Sequence, residues 1–104
     1  MSLTLGQFLD RWLDDYVKPR REPKTYQSYA QQIRTHLRPA LGKHKLKMLT
    51  AQHIDRFLSR QLEQGLSART VQYQRQILSS ALSRAVSWGL VSRNVARLTE
   101  PPTV

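Results

Sequence analysis

Two long stretches of the chain carry cations but no acid, and the chemistry that such residues share is anion binding. Residues 23–54 and 64–99 contain no Asp or Glu. A solvated helix surface normally mixes the two signs, because like charges repel and opposite charges four residues apart stabilise the helix. Unpaired cations in these stretches predict an external polyanion, for which nucleic acid is the usual candidate. The cations are Lys24, Arg34, Arg38, Lys43, Lys45, Lys47, Arg69, Arg75, Arg84, Arg93 and Arg97.

Small polar residues lie next to a cation at the start of two predicted helices: Thr25 and Ser28 beside Lys24, and Ser67 and Thr70 beside Arg69. A helix start attracts phosphate through its free N–H groups and its positive dipole end. The amide and hydroxyl side chains beyond it can hydrogen-bond base edges, while nearby cations fix the register on the backbone. The residues predicted to bind DNA are Lys24, Thr25, Gln27, Ser28, Gln31, Gln32, Lys43, Lys45, Ser67, Arg69, Thr70, Gln72, Tyr73 and Gln76.

A simpler interpretation of the uncharged residues stays open. Gln and Ser side chains also solvate an ordinary helix face, and Ser80 and Ser83 also allow two helices to pack closely. Most aromatic residues fall on apolar stripes, where packing is the default role. Tyr73 lies on a polar side and is the aromatic residue best placed to contact a partner. Because exposed aromatic residues are few, the pattern favours duplex over single-stranded nucleic acid.

Other reactive residue types show no arrangement typical of an active site. His36, His44 and His53 lack the spacing of metal ligands, and the glycines are isolated rather than grouped in a phosphate loop. The neighbouring carboxylates Asp14 and Asp15 lie on a predicted exposed face, where a role in solubility is the simpler explanation. We therefore predict no catalytic residue, no metal site and no cofactor.

The elements that must position these residues are four predicted helices joined by short connectors. The first begins after the N-cap Thr4, with Gln7 completing a capping box, and ends at Pro19. The second runs from about Thr25 to Leu37 and is stopped by Pro39. Residues 18–23 form a basic connector, and alternation over residues 45–49 permits a short extended segment.

Caps define the third and fourth helices. Thr50 is the predicted N-cap of the third helix, and Gly65 its terminating glycine. Ser67 caps the fourth helix, which Gly89 ends, and a short helical turn is predicted over residues 94–98. The residues expected to be buried in these two helices are Ile54, Phe57, Leu58, Leu62, Val71, Ile77, Leu78, Ala81, Leu82, Ala85 and Trp88.

Composition suits a single basic globular domain. The chain has 104 residues, a net charge of +10, a pI of about 10.9, 39% hydrophobic residues and no Cys. This predicts one domain over residues 1–99, followed at 100–104 by the start of a linker, because Pro101 and Pro102 are typical of one. No segment has the apolar length of a membrane span and no secretory signal is recognised, so a cytoplasmic location is expected.

Several motifs occur in an order that is similar to a known family. The stretches are 4–13, 24–29, 41–42, 49–54, 65–71 and 85–91 before Asn94. Their order and spacing resemble the N-terminal core-binding domain of phage-type integrases, which are tyrosine recombinases. Each motif alone is degenerate, since it consists mainly of cap and core positions. An Asn-Pro pair is frequent near the end of such domains, whereas Val95 follows Asn94 here.

The resemblance implies an all-α, four-helix SAM-like bundle with a short C-terminal helical turn. Such a bundle grips duplex DNA at a recombination site, while a separate C-terminal domain breaks and rejoins DNA through a phosphotyrosine link. This chain alone is then not an enzyme, and its partners are double-stranded DNA, the catalytic domain of the same protein and other recombinase protomers, with no membrane. The helix starts that approach the major groove in the family correspond to Lys24, Thr25, Ser28, Ser67, Arg69 and Gln72. His53 and Arg56 match the spacing of the family's catalytic His-x-x-Arg, but they lie within an ordinary amphipathic helix.

Two other functions remain as alternatives. A helix-turn-helix transcription regulator would place a tight turn at residues 65–67 before a recognition helix and would usually dimerise on a palindrome. A basic helical protein-interaction module would bind an acidic protein and not DNA. Two-fold symmetry in solution favours the first alternative, and salt-sensitive binding to a protein but not to DNA favours the second.

Overall fold

The computed structural model describes residues 2–103, and the predicted all-α class is confirmed: these residues form four helices and no strand. Met1 and Val104, the outer residues of the predicted domain and linker, lie outside the described residues. The chain divides into two compact units, unit 1 up to Met48 and unit 2 from Leu49 onward. The helices are α1 (5–20), α2 (23–41), α3 (Ala51–Glu63) and α4 (Ala68–Ser87), and 3₁₀ turns cover Leu46–Met48 and Val95–Leu98.

The two helices of unit 1 each contain a π-helical turn, and both are longer than the sequence predicts. The segments of α1 are Leu5–Trp12, the π turn Leu13–Val17 and Lys18–Arg20; those of α2 are Pro23–Gln32, the π turn Ile33–Leu37 and Arg38–Leu41. The predictions that Pro19 and Pro39 end these helices, and that α2 begins at about Thr25, are therefore wrong. Part of the predicted 18–23 connector is helical as well.

A wide turn directly before each proline explains why the helices continue. Proline lacks an N–H and its ring pushes on the carbonyl four residues earlier, which normally breaks an α-helix. Here the hydrogen bonds reach one residue further back: the N–H of Lys18 donates to the carbonyl of Leu13, and that of Arg38 to Ile33. A π turn of this kind absorbs the local disruption, so the helix resumes after it.

Helix starts follow the predicted capping residues. Thr4 and Gln7 form the expected capping box of α1, with reciprocal hydrogen bonds of 3.0 and 3.2 Å. Thr50 caps α3, and its partner is His53, whose Nδ1 accepts the Thr50 N–H at 3.1 Å. Ser67 Oγ accepts the N–H of Thr70 at 3.1 Å and caps α4. Side-chain oxygens at N-caps satisfy N–H groups that have no partner within the helix.

Helix ends in unit 2 are set by glycines. Gly65 and Gly89 have φ of +97° and +75°, the left-handed conformation that favours glycine after a helix. The hydrogen bond from the N–H of Leu66 to the carbonyl of Gln61 completes a Schellman motif after α3. The predicted C-terminal turn is present as a 3₁₀ turn capped by Asn94, whose Oδ1 accepts the Ala96 N–H at 3.0 Å.

The core of unit 1 lies between α1 and the buried side of α2. Trp12 is 2% exposed and stacks on Tyr29, with ring centroids 5.6 Å apart. The start of α1 also packs closely on the end of α2: the N–H of Gly6 donates to the carbonyl of Gly42 at 3.1 Å. A Cβ on Gly42 would lie 2.5 Å from the carbonyl oxygen of Arg38, so this position requires glycine.

The predicted extended segment over residues 45–49 is replaced by a 3₁₀ turn, Leu46–Met48. Of that segment, Lys45 forms an isolated antiparallel bridge with Thr4. The N–H of Leu46 also donates to the carbonyl of Leu3 at 2.8 Å. A single bridge ties down the connector, and the chain then turns so that Leu46 is buried, at 3% exposure.

The core of unit 2 contains most of the residues expected there, with two exceptions. Leu62 and Trp88 are each 40% exposed, so their predicted burial is wrong. Gln61 takes the inward position of the last turn of α3 at 5% exposure, and Leu62 lies about 100° further around the helix. Trp88 is the C-cap of α4, where the chain turns away at Gly89.

Candidate nucleic-acid interface

Arg38 and Arg75 lie in the acid-free stretches and have side-chain partners within the chain. Arg38 forms an ion pair with Asp10. Arg75 donates from Nε to the Thr99 hydroxyl at 2.9 Å and from Nη2 to the Thr99 carbonyl at 2.8 Å. The expectation that the cations of these stretches lack an internal counter-charge is therefore wrong for Arg38, whereas the partner of Arg75 is uncharged. The cause is long-range packing, because Asp10 lies on another helix and Thr99 lies in a segment that follows α4.

Most of the remaining cations are exposed and have no partner within residues 2–103. Unit 1 carries Lys24, Arg34, Lys43, Lys45 and Lys47 in this state, and unit 2 carries Arg69, Arg93 and Arg97. Their charges are therefore neutralised by solvent ions in the isolated chain. When such cations contact DNA, they displace the counterions condensed on its phosphates, and the release of those counterions supplies much of the affinity.

One face of α2 combines a cation with uncharged amides. Lys24 is the second residue of α2, and Gln27 and Gln31 follow at helical spacing, all three exposed. Thr25, Ser28 and Gln32 lie alongside and are partly exposed. Pro23 occupies the first helical position, where its missing N–H has no cost.

The connector after α2 holds two of the predicted DNA-binding lysines on a fixed backbone. Lys43 and Lys45 are exposed, on either side of His44. The carbonyl of His44 accepts the N–H of Leu5 at 2.8 Å, and Lys45 bridges to Thr4. Both ammonium groups therefore extend from a connector that is hydrogen-bonded to the start of α1.

The start of α4 presents a second group of predicted residues. Arg69 and Gln76 are exposed, and Tyr73 is partly exposed. The hydroxyl of Ser67 donates to Thr70 Oγ1 at 3.0 Å while it accepts the Thr70 N–H, so these two residues first stabilise the cap. Their positions still lie in the first turn of α4, where the dipole favours an anion.

Gln72 differs from the other predicted DNA-binding residues of α4, because its side chain is already hydrogen-bonded to another part of the chain. Its Nε2 donates to the carbonyl of Pro102 at 2.6 Å. The predicted linker residues therefore pack back on α4 over this part of the face. The sequence offered no signal for this contact, or for the role of Arg75, because both depend on how the chain returns after α4.

The His-x-x-Arg spacing at His53 and Arg56 has a structural explanation. His53 completes the capping box at Thr50, so its position is accounted for by the start of α3. No group of three metal-ligating side chains occurs within the part of the chain that the structure describes. Across those same residues, every helix is too short or too polar to cross a bilayer.

Comparison with known proteins identifies related chains. The model of the family described as "Phage integrase, N-terminal SAM-like domain" matches residues 4–62. An integrase from Streptomyces ambofaciens is 32% identical over 99 residues, which cover 95% of this chain and 25% of that protein. The chain spans about a quarter of the length of the curated relatives it matches.

Solved structures with the same fold include two integrase structures. The phage integrase SAM-like domain from Moorella thermoacetica is 38% identical, with a TM-score of 0.84 over 98% of this chain and 87% of that one. A lambda integrase dimer bound to a COC′ core site is 25% identical, with a TM-score of 0.88 over 99% of this chain and 29% of that one. The predicted SAM-like four-helix fold is thereby confirmed. The chain belongs to the family of phage integrase N-terminal SAM-like domains.

Proposed function

We propose that this chain is the DNA-binding part of a tyrosine recombinase and grips duplex DNA at a recombination site. The observation that carries this proposal is the set of exposed, unpaired cations beside uncharged amide faces at the starts of α2 and α4. Family membership supports it, and a lambda integrase of the same fold is bound to a core site. Breaking and rejoining of DNA then belongs to another part of the parent protein.

In unit 1, phosphate contacts come from Lys24 and from the connector lysines Lys43 and Lys45. Lysine binds phosphate as a point charge, so these contacts set position and affinity without reading sequence. Gln27 and Gln31 are exposed and lie between the cations Lys24 and Arg34 along α2. Gln can make a bidentate contact with adenine in the major groove, so these two are the residues of unit 1 that read base edges.

In unit 2, Arg69 supplies the phosphate contact at the start of α4. Its guanidinium is exposed and lies within one turn of the cap residue Ser67, where the helix dipole adds to the attraction. Gln76 follows two turns later on an exposed face, with Tyr73 between them. The phosphate contacts fix the position of α4 on the DNA, and the side-chain amide of Gln76 then donates to a base edge.

The partners of the parent protein follow from the same proposal. DNA recombination at a defined site requires several protomers on one DNA, together with a catalytic domain that is connected to the DNA-binding part. The chain spans about a quarter of its curated relatives, which leaves room in such proteins for that catalytic domain.

The test measures binding of the chain to a short duplex DNA by fluorescence anisotropy. Lys24→Ala and Arg69→Ala should each weaken binding several-fold at moderate salt and leave the midpoint of thermal unfolding unchanged, because both side chains are exposed and unpaired. Arg60→Ala is the matched control: it removes the same charge from an exposed site whose groove also contains Asp55 and Glu63.

If Arg60→Ala and Arg69→Ala weaken DNA binding equally, binding depends only on net charge. That result would overturn the proposed surface. Binding to an acidic protein with no binding to DNA would instead support an interaction module.

A further inference from the structure

The segment that follows α4 packs against α4 and runs back along it. Asn94 begins this return segment, which we define as residues 94–103. The Nδ2 of Asn94 donates to the carbonyl of Ser79 at 2.8 Å and to the hydroxyl of Ser83 at 2.9 Å. One side chain therefore caps the 3₁₀ turn and joins it to α4.

The middle of the return segment is held by Arg75. Its guanidinium makes two hydrogen bonds to Thr99, one to the hydroxyl at 2.9 Å and one to the carbonyl at 2.8 Å. Thr99 is 5% exposed, and its hydroxyl also donates to the carbonyl of Ala96 at 2.6 Å. Two parallel N–H donors fix the direction of the chain as well as its position, which a single hydrogen bond would not do.

The end of the return segment is held by Gln72. Its amide donates to the carbonyl of Pro102 at 2.6 Å. Pro101 and Pro102 restrict the backbone at this point, so a single hydrogen bond costs little conformational entropy.

The attachment points on α4 form one stripe. Positions 72, 75, 79 and 83 are separated by three or four residues, which places them on the same face of the helix. From 83 to 72 the stripe covers about 16 Å of helix. The return segment therefore carries the chain from the C-terminal part of α4 back to its second turn, close to the end that bears Ser67 and Arg69.

We propose that Arg75 and Gln72 are positioning residues that dock the return segment on α4 and so determine where the chain leaves unit 2. Gln72 thereby belongs to the chain's own exit path and not to the surface that reads DNA. The consequence for recombination rests on the proposed function: the docked segment brings the chain at Pro102 close to the phosphate-binding end of α4, which bears Ser67 and Arg69.

The test uses the full chain with a single spin label. Because the chain has no Cys, Thr103→Cys gives a unique attachment site on an exposed residue. With the segment docked, the label should broaden the amide NMR signals around Gln72. Arg75→Ala and Gln72→Ala should each reduce that broadening, and Arg75→Lys should restore part of it, because Lys can still donate one hydrogen bond.

Arg69→Ala is the matched control, since it removes an equal charge from the same helix at a residue that does not contact the return segment. It should leave the broadening unchanged and weaken DNA binding, whereas Gln72→Ala should do the reverse. Broadening that persists in both Arg75→Ala and Gln72→Ala would overturn the proposal. So would its absence from the labelled chain that carries no further substitution. If Arg75→Ala fails to fold, Gln72→Ala alone decides.

The two proposals fail separately. The NMR measurement contains no DNA, so a chain that shows the expected broadening but does not bind duplex DNA contradicts only the proposed function. A chain that binds DNA through Lys24 and Arg69 but whose label shows no broadening near Gln72 contradicts only the positioning role.

Discussion

At the scale of single residues, burial and partners separate side chains that the sequence makes look alike. Arg75 and Arg69 are both arginines of α4 in an acid-free stretch, yet Arg75 holds Thr99 while Arg69 is exposed and unpaired. The sequence predicts the excess of positive charge correctly, because charge is a property of composition. The sequence does not predict which cation forms hydrogen bonds within the chain, since this depends on a contact between residues 24 positions apart.

A buried amide pair in unit 2 is also invisible in the sequence. Gln74 is 0% and Gln61 is 5% exposed, and Gln74 Nε2 donates to Gln61 Oε1 at 3.2 Å. A buried polar group that loses its partner keeps its desolvation penalty, whereas replacing both partners removes the penalty as well.

We therefore predict that Gln61→Leu lowers the free energy of unfolding by about 1–3 kcal/mol. The double variant Gln61→Leu/Gln74→Leu should be less destabilised than the sum of the two single variants. Urea unfolding followed by circular dichroism measures both, with the exposed Gln52→Leu on the same helix as the control. Additive effects of the two substitutions would show that the pair is not coupled.

At the scale of elements, caps and glycines were predictable and the π turns were not. Thr4, Thr50, Ser67 and Gly65 act locally, so their residue types alone indicate where helices begin and end. A proline also predicts a helix end from the local sequence alone, and this prediction is wrong at Pro19 and Pro39. Residues next to these prolines, such as Val17, Leu37 and Leu41, are at most 3% exposed. Tertiary packing of these side chains stabilises each helix beyond its proline, and the π turn accommodates the proline.

For α3 the account predicts that the capping box at Thr50 contributes measurably to stability. Thr50→Ala should lower the free energy of unfolding by about 0.5–2 kcal/mol, because the N–H of His53 loses its acceptor. His53→Gln should be nearly neutral, since Gln at this position can accept the Thr50 N–H as His53 does. Thermal unfolding of both variants checks this, with the exposed Thr103→Ala as the control. A loss as large in His53→Gln as in Thr50→Ala would mean that His53 has a role beyond the cap.

At the scale of the whole molecule, the periodicity of apolar residues was sufficient for the fold class, and the resemblance of the motifs and their order to a known family was sufficient for the family. Helical spacing of apolar residues is repeated along the chain, so errors at single positions such as Leu62 and Trp88 do not change the result. The path of the return segment was not predictable, because its hydrogen bonds join residues 24 and 30 positions apart. Pro101 and Pro102 indicate only that a regular element has ended.

The central claim is that exposed cations of unit 1 and unit 2 meet the phosphates of duplex DNA. The most direct measurement is the dissociation constant for a short duplex as a function of salt concentration. We expect log Kd to rise linearly with log salt, with a slope of about 0.9 for each phosphate contact, and Lys24→Ala and Arg69→Ala each to reduce that slope by about 0.9. An affinity that does not change with salt, or a slope that neither substitution reduces, would contradict the account.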